Sequence, residues 1–202
     1  MIFVVDRTNR AIFADQLEQF FQHRQMVAGR VATSDVASRL SVNCVDQGEA
    51  DDVVYVVETD SSRSVVAALR LVPTLEVDLL RDRFSFAIAD TTHLHSKIYE
   101  MSHWIALDDE DESEGRERYG HLFCAMFDYG LQRGQANLTL FCDIEFLPTL
   151  LERGWSVTPL GLPVAQHDRV RLAVAVEVSR AVLLTTYMGG AEYGIPVAVS
   201  LY

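Results

Sequence analysis

The stretch IYEMSHWIALDDEDESEGRERYGHLFCAMFDYGLQRGQANLTLFC, residues 98–142, decides the fold. Its first ten residues, Ile98 to Leu107, read as a strand. Tyr119, Leu122, Phe123, Met126, Phe127, Gly130 and Leu131 then recur at helical spacing, and Asn137 to Cys142 is strand-like again. Strand, helix and strand in that order predict a βαβ crossover, right-handed and with parallel strands. Six acids in one run, Asp108, Asp109, Glu110, Asp111, Glu112 and Glu114, separate the first strand from the helix.

Upstream, the β-branched run Val53 to Glu58, a polar turn from Thr59 to Arg63 and a second run from Ser64 to Val72 that stops at Pro73 predict an antiparallel hairpin. Phe13, Leu17, Phe20, Phe21 and Arg24 fall on one side of an amphipathic helix over 11–25, with Asp15, Gln16, Glu18, Gln19 and Gln22 facing solvent. Gly29 to Asp52 has no period and reads as a long structured loop. Downstream, a short helix from Glu145 to Arg153 ends at Gly154, and Trp155 to Leu160 and Val170 to Val178 are late strands. The tail after Ser179 offers only a helical turn before Gly189 and Gly190. A hairpin followed by βαβ and further strands predicts an α/β fold, a mixed twisted sheet with helices on both faces in one αβα domain over 1–202.

The chain has 202 residues, 49% of them hydrophobic, which is enough for one sizeable core. Lys plus Arg total 17 against 29 Asp plus Glu, a net charge of −12 that opposes nucleic acid and anionic bilayers as partners. Cys44, Cys124 and Cys142 are an odd number without a C-x-x-C pair, so neither a disulfide framework nor a zinc site is expected. Charges at Asp6, Arg7 and Arg10 break any secretory signal, and no apolar run approaches the roughly 20 residues of a membrane span. A cytoplasmic protein is the expectation. His93 and His95, with His103 further on, lack a completing ligand at a recognised spacing, so no metal is expected. His121, Cys124 and Asp128 share one helix, whereas a catalytic Cys–His pair normally joins separate elements. Neither G-x-S-x-G nor a phosphate loop is present.

"VVYVVETDSSRSVVAALRLVPTLEVDLLRDRF", followed by "IYEMSHWIALD", resembles the acyl-homoserine-lactone synthases, which make bacterial quorum-sensing signals. The matching positions are Arg70, Leu71, Pro73 and Thr74, then Leu80 and Phe84, then Glu100, Ser102, His103 and Trp104. "LLERGWSVTPLGLP" matches the family's Arg-x-Gly-Trp segment at Arg153, Gly154, Trp155, Gly161 and Pro163. The likeness runs over about residues 11–163. It implies an N-acetyltransferase-like sandwich whose splayed central strands form a cleft. Pro73-Thr74 stands where an ordinary acetyltransferase begins its Gly-rich pyrophosphate loop.

The implied reaction joins the amino group of S-adenosylmethionine to an acyl chain delivered as a thioester on acyl carrier protein or coenzyme A. The methionine part then closes to a lactone and methylthioadenosine leaves. S-adenosylmethionine is thus a substrate, and no tightly bound cofactor is implied. The ammonium must lose a proton before attack, and its ordinary pKa of about 7.7–8.0 asks for a carboxylate nearby. Glu100 is the catalytic candidate; the alternative is a carboxylate that pairs with Arg70 or Arg24 to hold sheet to helix. Ser102 stands where the family has a small hydroxyl beside the acyl carbonyl, or is a spacer. Backbone N–H groups near Arg70 and Met101 are candidate donors to the thioester oxygen.

For substrate binding the resemblance implies Arg24, Asp46, Glu49, Arg70, Phe84, Met101 and His103; Arg24, Asp46 and Glu49 form the adenosylmethionine side, since carboxylates attract the sulfonium and ammonium and a guanidinium suits the carboxylate. The elements that line the acyl pocket contribute Met101, Phe123, Met126, Phe127, Leu140, Phe141, Leu150 and Leu151, residues any core would also contain. Arg116, Arg118, Arg133 and Arg153 are candidates for a basic patch facing an acidic carrier protein. The chain departs from the family at Ala28 and Ser34, where aromatics stand, at Cys44, where an acid stands, and at His103, where an Arg stands. These departures keep two alternatives open: an N-acyltransferase acting on another amine, and a noncatalytic homologue that binds an acyl thioester or a protein partner.

Overall fold

The structure is a computed structural model, and it describes residues 1–32, 52–74, 88–89, 98–106, 112–166, 169–191 and 199–200. In chain order these form β1 (Ile2–Val5), α1 (Ala14–Ala32), β2 (Val54–Thr59), β3 (Val65–Pro73), β4 (Tyr99–Ala106), α2 (Glu112–Gln132), β5 (Asn137–Asp143), a 3₁₀ turn (Ile144–Phe146), α3 (Leu147–Glu152), β6 (Val157–Pro159), β7 (Val164–Gln166), β8 (Arg169–Glu177), α4 (Arg180–Ala191) and β9 (Val199–Ser200). The strands build one mixed sheet in the order β6-β8-β5-β4-β3-β2-β1-β9, with β7 also on β8.

The predicted hairpin is β2–β3. Its turn is tied by Asp60, whose Oδ1 accepts the N–H groups of Ser62 (2.8 Å) and Ser64 (2.9 Å), and Arg63 takes the left-handed conformation at φ 67°. The predicted crossover is β4–α2–β5, and its strands are parallel. Helix α2 stops at Gly134, whose φ of 67° suits a residue without Cβ. Pro148 in the first turn of α3 and Gly154 past its end delimit that helix.

Alternation along the strands divides the core. Val54, Val56, Ala67, Leu69, Leu71, Met101, Leu138, Leu140, Leu172, Val174 and Val176 face α2 and α4. Val53, Tyr55, Val57, Val65, Ala68 and Val72 face the other way, against Leu17 and Phe20 of α1. The same side farther along the sheet, at Ala173 and Ala175, is covered by Leu160 and Ile88. Helices on both faces were the expectation.

Three readings need correction. Helix α1 continues to Ala32, past the predicted end at 25, because one interior glycine costs a helix only about 1 kcal/mol and Gly29 does not stop it. The tail is a full helix, α4, whose start is capped by Ser179 Oγ accepting the Val182 N–H (3.3 Å); its residues are apolar on most sides, so no helical period stands out. Strand β1 is only four residues long and escapes a pattern search, as do the shorter β7 and β9. Ser34, Cys44, Asp46, Glu49, Leu80, Phe84, His93, His95 and Asp108 to Asp111 lie outside the described residues.

Candidate active site

Strands β4 and β5 pair only at Tyr99 with Leu138 and Glu100 with Thr139; beyond these two pairs the ladder stops and the strands part. On its other side β4 keeps pairing with β3 up to Ala106, and β5 pairs with β8 along its whole length. The middle of the sheet therefore contains a wedge-shaped gap, open toward Ala106 and Asp143. The expected splay is present.

The register fixes what lines the gap. Arg70 lies opposite Ser102 and Val72 opposite Glu100, and cross-strand partners share a face, so Arg70, Glu100 and Ser102 all lie on the α1 side. Thr139, opposite Glu100 from β5, joins them. Arg70, Glu100 and Thr139 are buried, at 4%, 3% and 0% exposed. The hydroxyls of Ser102 and Thr139 are buried without a hydrogen-bond partner among the described residues. Buried hydroxyls in native proteins are almost always bonded, and these two on the walls of one gap leave hydrogen-bonding capacity that water or a ligand can meet.

Between Ala68 and Arg70 the pairing with β4 shifts by one residue, a β-bulge over His103 and Trp104. The bulge reverses the alternation. Ser102 stays on the α1 side, whereas Trp104 turns to the α2 side and stacks on Phe146 (centroids 5.9 Å apart, planes at 20°). One aromatic from each diverging strand region thus closes the α2 side of the open end. On the α1 side, the Arg24 guanidinium sits 5.6 Å from the Phe21 ring, Phe21 meets Tyr55 edge-on at 5.9 Å, and Tyr55 lies opposite Arg70 in the sheet. Arg24 therefore belongs to the same side as Glu100 and Arg70.

Of the apolar candidates, Met101, Phe123, Met126, Phe127, Leu140 and Leu150 gather in the core on the α2 side, together with Trp155, whose ring meets Phe123 and Phe127 edge-on at 4.9 and 4.8 Å. Two do not belong with them. Phe141 points to the opposite face of β5, toward Ile88, and Leu151 is 52% exposed on the outside of α3. Each is one residue out of phase with a neighbour that does face inward, Leu140 and Leu150. The basic patch also divides: the Arg153 side chain reaches Gly120 toward the middle of α2, while Arg133 lies just past that helix's C-terminal end, bound to Asp6 at 3.1 Å.

His121 is explained by structure rather than chemistry, since its Nδ1 lies 3.0 Å from Glu58 Oε1 across α2 and β2. Burial pushes the Cys124 thiol up to about 11, Arg153 opposing it, so the thiol stays protonated at neutral pH. No group of three or more metal-ligating side chains occurs among the described residues. None of the described helices is long and apolar enough to cross a membrane. Thr139 is the buried polar residue on the gap that the sequence does not single out. Its signal was a polar residue between Leu138 and Leu140 in a strand covered on both faces.

With this geometry in view, comparison with known proteins is direct. The autoinducer synthase family model matches residues 10–184. The isovaleryl-homoserine lactone synthase of Bradyrhizobium diazoefficiens is 27% identical over 184 residues, 91% of this chain and 82% of that protein. The CoA-dependent acyl-homoserine lactone synthase BjaI, solved with MTA, superposes with a TM-score of 0.81 at 26% identity, over 99% of this chain and 92% of that one. An aminoglycoside 6'-acetyltransferase shares the fold at a TM-score of 0.53 and 14% identity, over 89% of this chain and 97% of that one. The sheet with a central gap, walled by buried polar groups, defines an N-acyltransferase-like fold. The chain belongs to the autoinducer synthase family.

Proposed function

We infer that the protein is an acyl-homoserine lactone synthase that acylates the amino nitrogen of S-adenosylmethionine from an acyl-coenzyme A. The observation that carries this is the gap between β4 and β5, with Glu100 on its walls beside the hydroxyls of Ser102 and Thr139, which have no partner among the described residues. Coenzyme A is favoured as the donor by BjaI, solved with SAM and isopentyl-CoA, which is 25% identical over 99% of this chain and 92% of that one (TM-score 0.80).

The amine side of the reaction falls on the α1 face. There Arg70 and Arg24 serve the methionine carboxylate, and Glu100 takes the ammonium proton, directly or through one water. Asp46, Glu49, Phe84 and His103 complete that side by the family resemblance. The free amine attacks the thioester carbon, and Ser102 and Thr139 donate hydrogen bonds to the carbonyl oxygen as it gains charge. The carbon–sulfur bond breaks and coenzyme A leaves as the thiol. The acyl chain passes through the gap to the α2 face, against Met101, Met126, Leu140 and Leu150, with Phe123, Phe127 and Trp155 beneath. The methionine carboxylate then attacks its own γ-carbon and displaces methylthioadenosine as a neutral thioether.

Purified protein given S-adenosylmethionine and isovaleryl-CoA, then a series of longer acyl-CoA thioesters, should release an acyl-homoserine lactone, methylthioadenosine and free coenzyme A, measured by mass spectrometry. Glu100→Gln should lower kcat by about a hundredfold or more, the usual contribution of a general base. Thiol release without methylthioadenosine would shift the reading to another amine acceptor. No turnover with any donor would leave a noncatalytic homologue.

A further inference from the structure

The face that carries Glu100 and Thr139 holds a second group of charges at the open end of the gap. Asp143, the last residue of β5, lies on that face four residues beyond Thr139, about 13 Å along the strand. Two arginines of β8 converge on it: Arg169 through Nη1 to Oδ2, and Arg171 through Nε to Oδ1 at 3.0 Å. The Arg171 side chain is 8% exposed and its guanidinium lies 5.8 Å from the centre of the Phe141 ring, so it leans from β8 across β5 toward the gap. The Arg169 side chain is 34% exposed. In a chain with 29 acids and only 17 Lys plus Arg, two cations share this one carboxylate. A purely structural ion pair needs only one, and the second, partly exposed guanidinium still offers donors outward.

We propose that Arg169, braced by Asp143 and Arg171, binds the phosphate at the end of the donor's pantetheine arm. Distance separates the possible anions. The methionine carboxylate is two bonds from the attacking nitrogen and stays beside Glu100, well short of Asp143. The adenosyl half carries no negative charge. The pantetheine arm is neutral from sulfur to phosphate, and its 13 intervening bonds extend on the order of 15 Å, the reach of a peptide with the same number of backbone bonds. A sulfur held near Thr139 therefore delivers a phosphate to Arg169. The same chemistry ends the arm of coenzyme A and the arm on a carrier protein. The proposal rests on the thioester reading above, and its test is separable from it.

Coenzyme A, 4'-phosphopantetheine and pantetheine, each titrated calorimetrically into wild type and Arg169→Ala, give the answer without turnover. The expected result is a rise of about tenfold in Kd for the phosphorylated ligands, in line with loss of one charge-assisted hydrogen bond, and no change for pantetheine. Arg169→Lys should recover part of the loss. A change confined to coenzyme A assigns the site to its nucleotide end, and a change shared with 4'-phosphopantetheine assigns it to the phosphate common to both carriers. Equal shifts for pantetheine, or no shift for any ligand in a variant whose Tm matches wild type, would overturn the proposal. Should wild type turn over no thioester at all, the functional reading falls and this titration still decides the phosphate site.

Discussion

Thr139 and Ser102 each bury a hydroxyl that has no partner among the described residues, an arrangement that costs a folded protein about 1–3 kcal/mol per group. Thr139→Val keeps the shape and removes the unmet group. It should raise unfolding free energy by about 1 kcal/mol in a denaturant titration, while kcat/KM for thioester falls by about tenfold or more. A variant less stable than wild type would mean that the hydroxyl is satisfied in the free protein. Gain in one quantity and loss in the other is the mark of a group kept for its ligand. Glu100, Ser102, Arg70 and Arg24 stand out in the sequence as candidates because they follow a recognisable order, and the register sets Glu100, Ser102 and Arg70 on one face. Thr139 does not stand out, since a single threonine in a strand has many ordinary uses and only the register with Glu100 sets it on the gap. Leu151 and Phe141 belong to elements that otherwise face the apolar side, but one residue of phase turns a strand side chain to the opposite face and a helix side chain by about 100°.

The α3–β6 junction sets Trp155 beneath Phe123 and Phe127 of α2. Gly154 has φ +75° and a Cβ there would come within 2.9 Å of Thr185 on α4, while the next residue, Trp155, donates its indole N–H to Thr186 Oγ1 at 2.9 Å. Gly134 has a similar φ of +67° but nothing within 4 Å. Alanine at Gly134 should therefore cost about 1 kcal/mol, the backbone strain alone. At Gly154 it should cost about 2–4 kcal/mol, because strain and overpacking add, a difference visible as a larger drop in Tm. Equal drops would show that α4 yields to the added carbon. The helix bearing Thr185 and Thr186 was also the element least legible in the sequence. Its outward Leu184, Tyr187 and Met188 erase the polar stripe that ordinarily reveals a surface helix. The hairpin and the βαβ unit were legible because their turns and periods are local, whereas β1 shows itself only by pairing with β2 and β9, contacts between residues 50 or more apart in the chain.

The molecule as a whole is stitched at its other end by Asp6, which follows β1 and reaches Arg133 past the end of α2. Partial burial pushes its carboxyl up, but hydrogen bonds from the Thr8 hydroxyl and N–H, with Arg133 and Arg7 nearby, outweigh that and hold it below the usual range. A depressed carboxylate stabilises the fold above its unfolded pKa and loses that contribution as pH falls through the folded one. Asp6→Asn should be less stable than wild type at pH 7, and the two should converge in chemical denaturation as pH drops below about 4; a gap independent of pH would assign the effect to lost shape instead. That stitch matters because β4 and β5 share so short a seam. Strands β1 to β4, with β9 on β1, and strands β5 to β8 form two leaves joined along two residue pairs, and α2, packed on the first leaf, holds the second through Phe123 and Phe127 against Trp155. Spreading the leaves breaks little backbone pairing, so the width of the gap is governed by the helix that clasps them as much as by the strands that wall it. For redesign of the gap's width, the place to cut is the clasp.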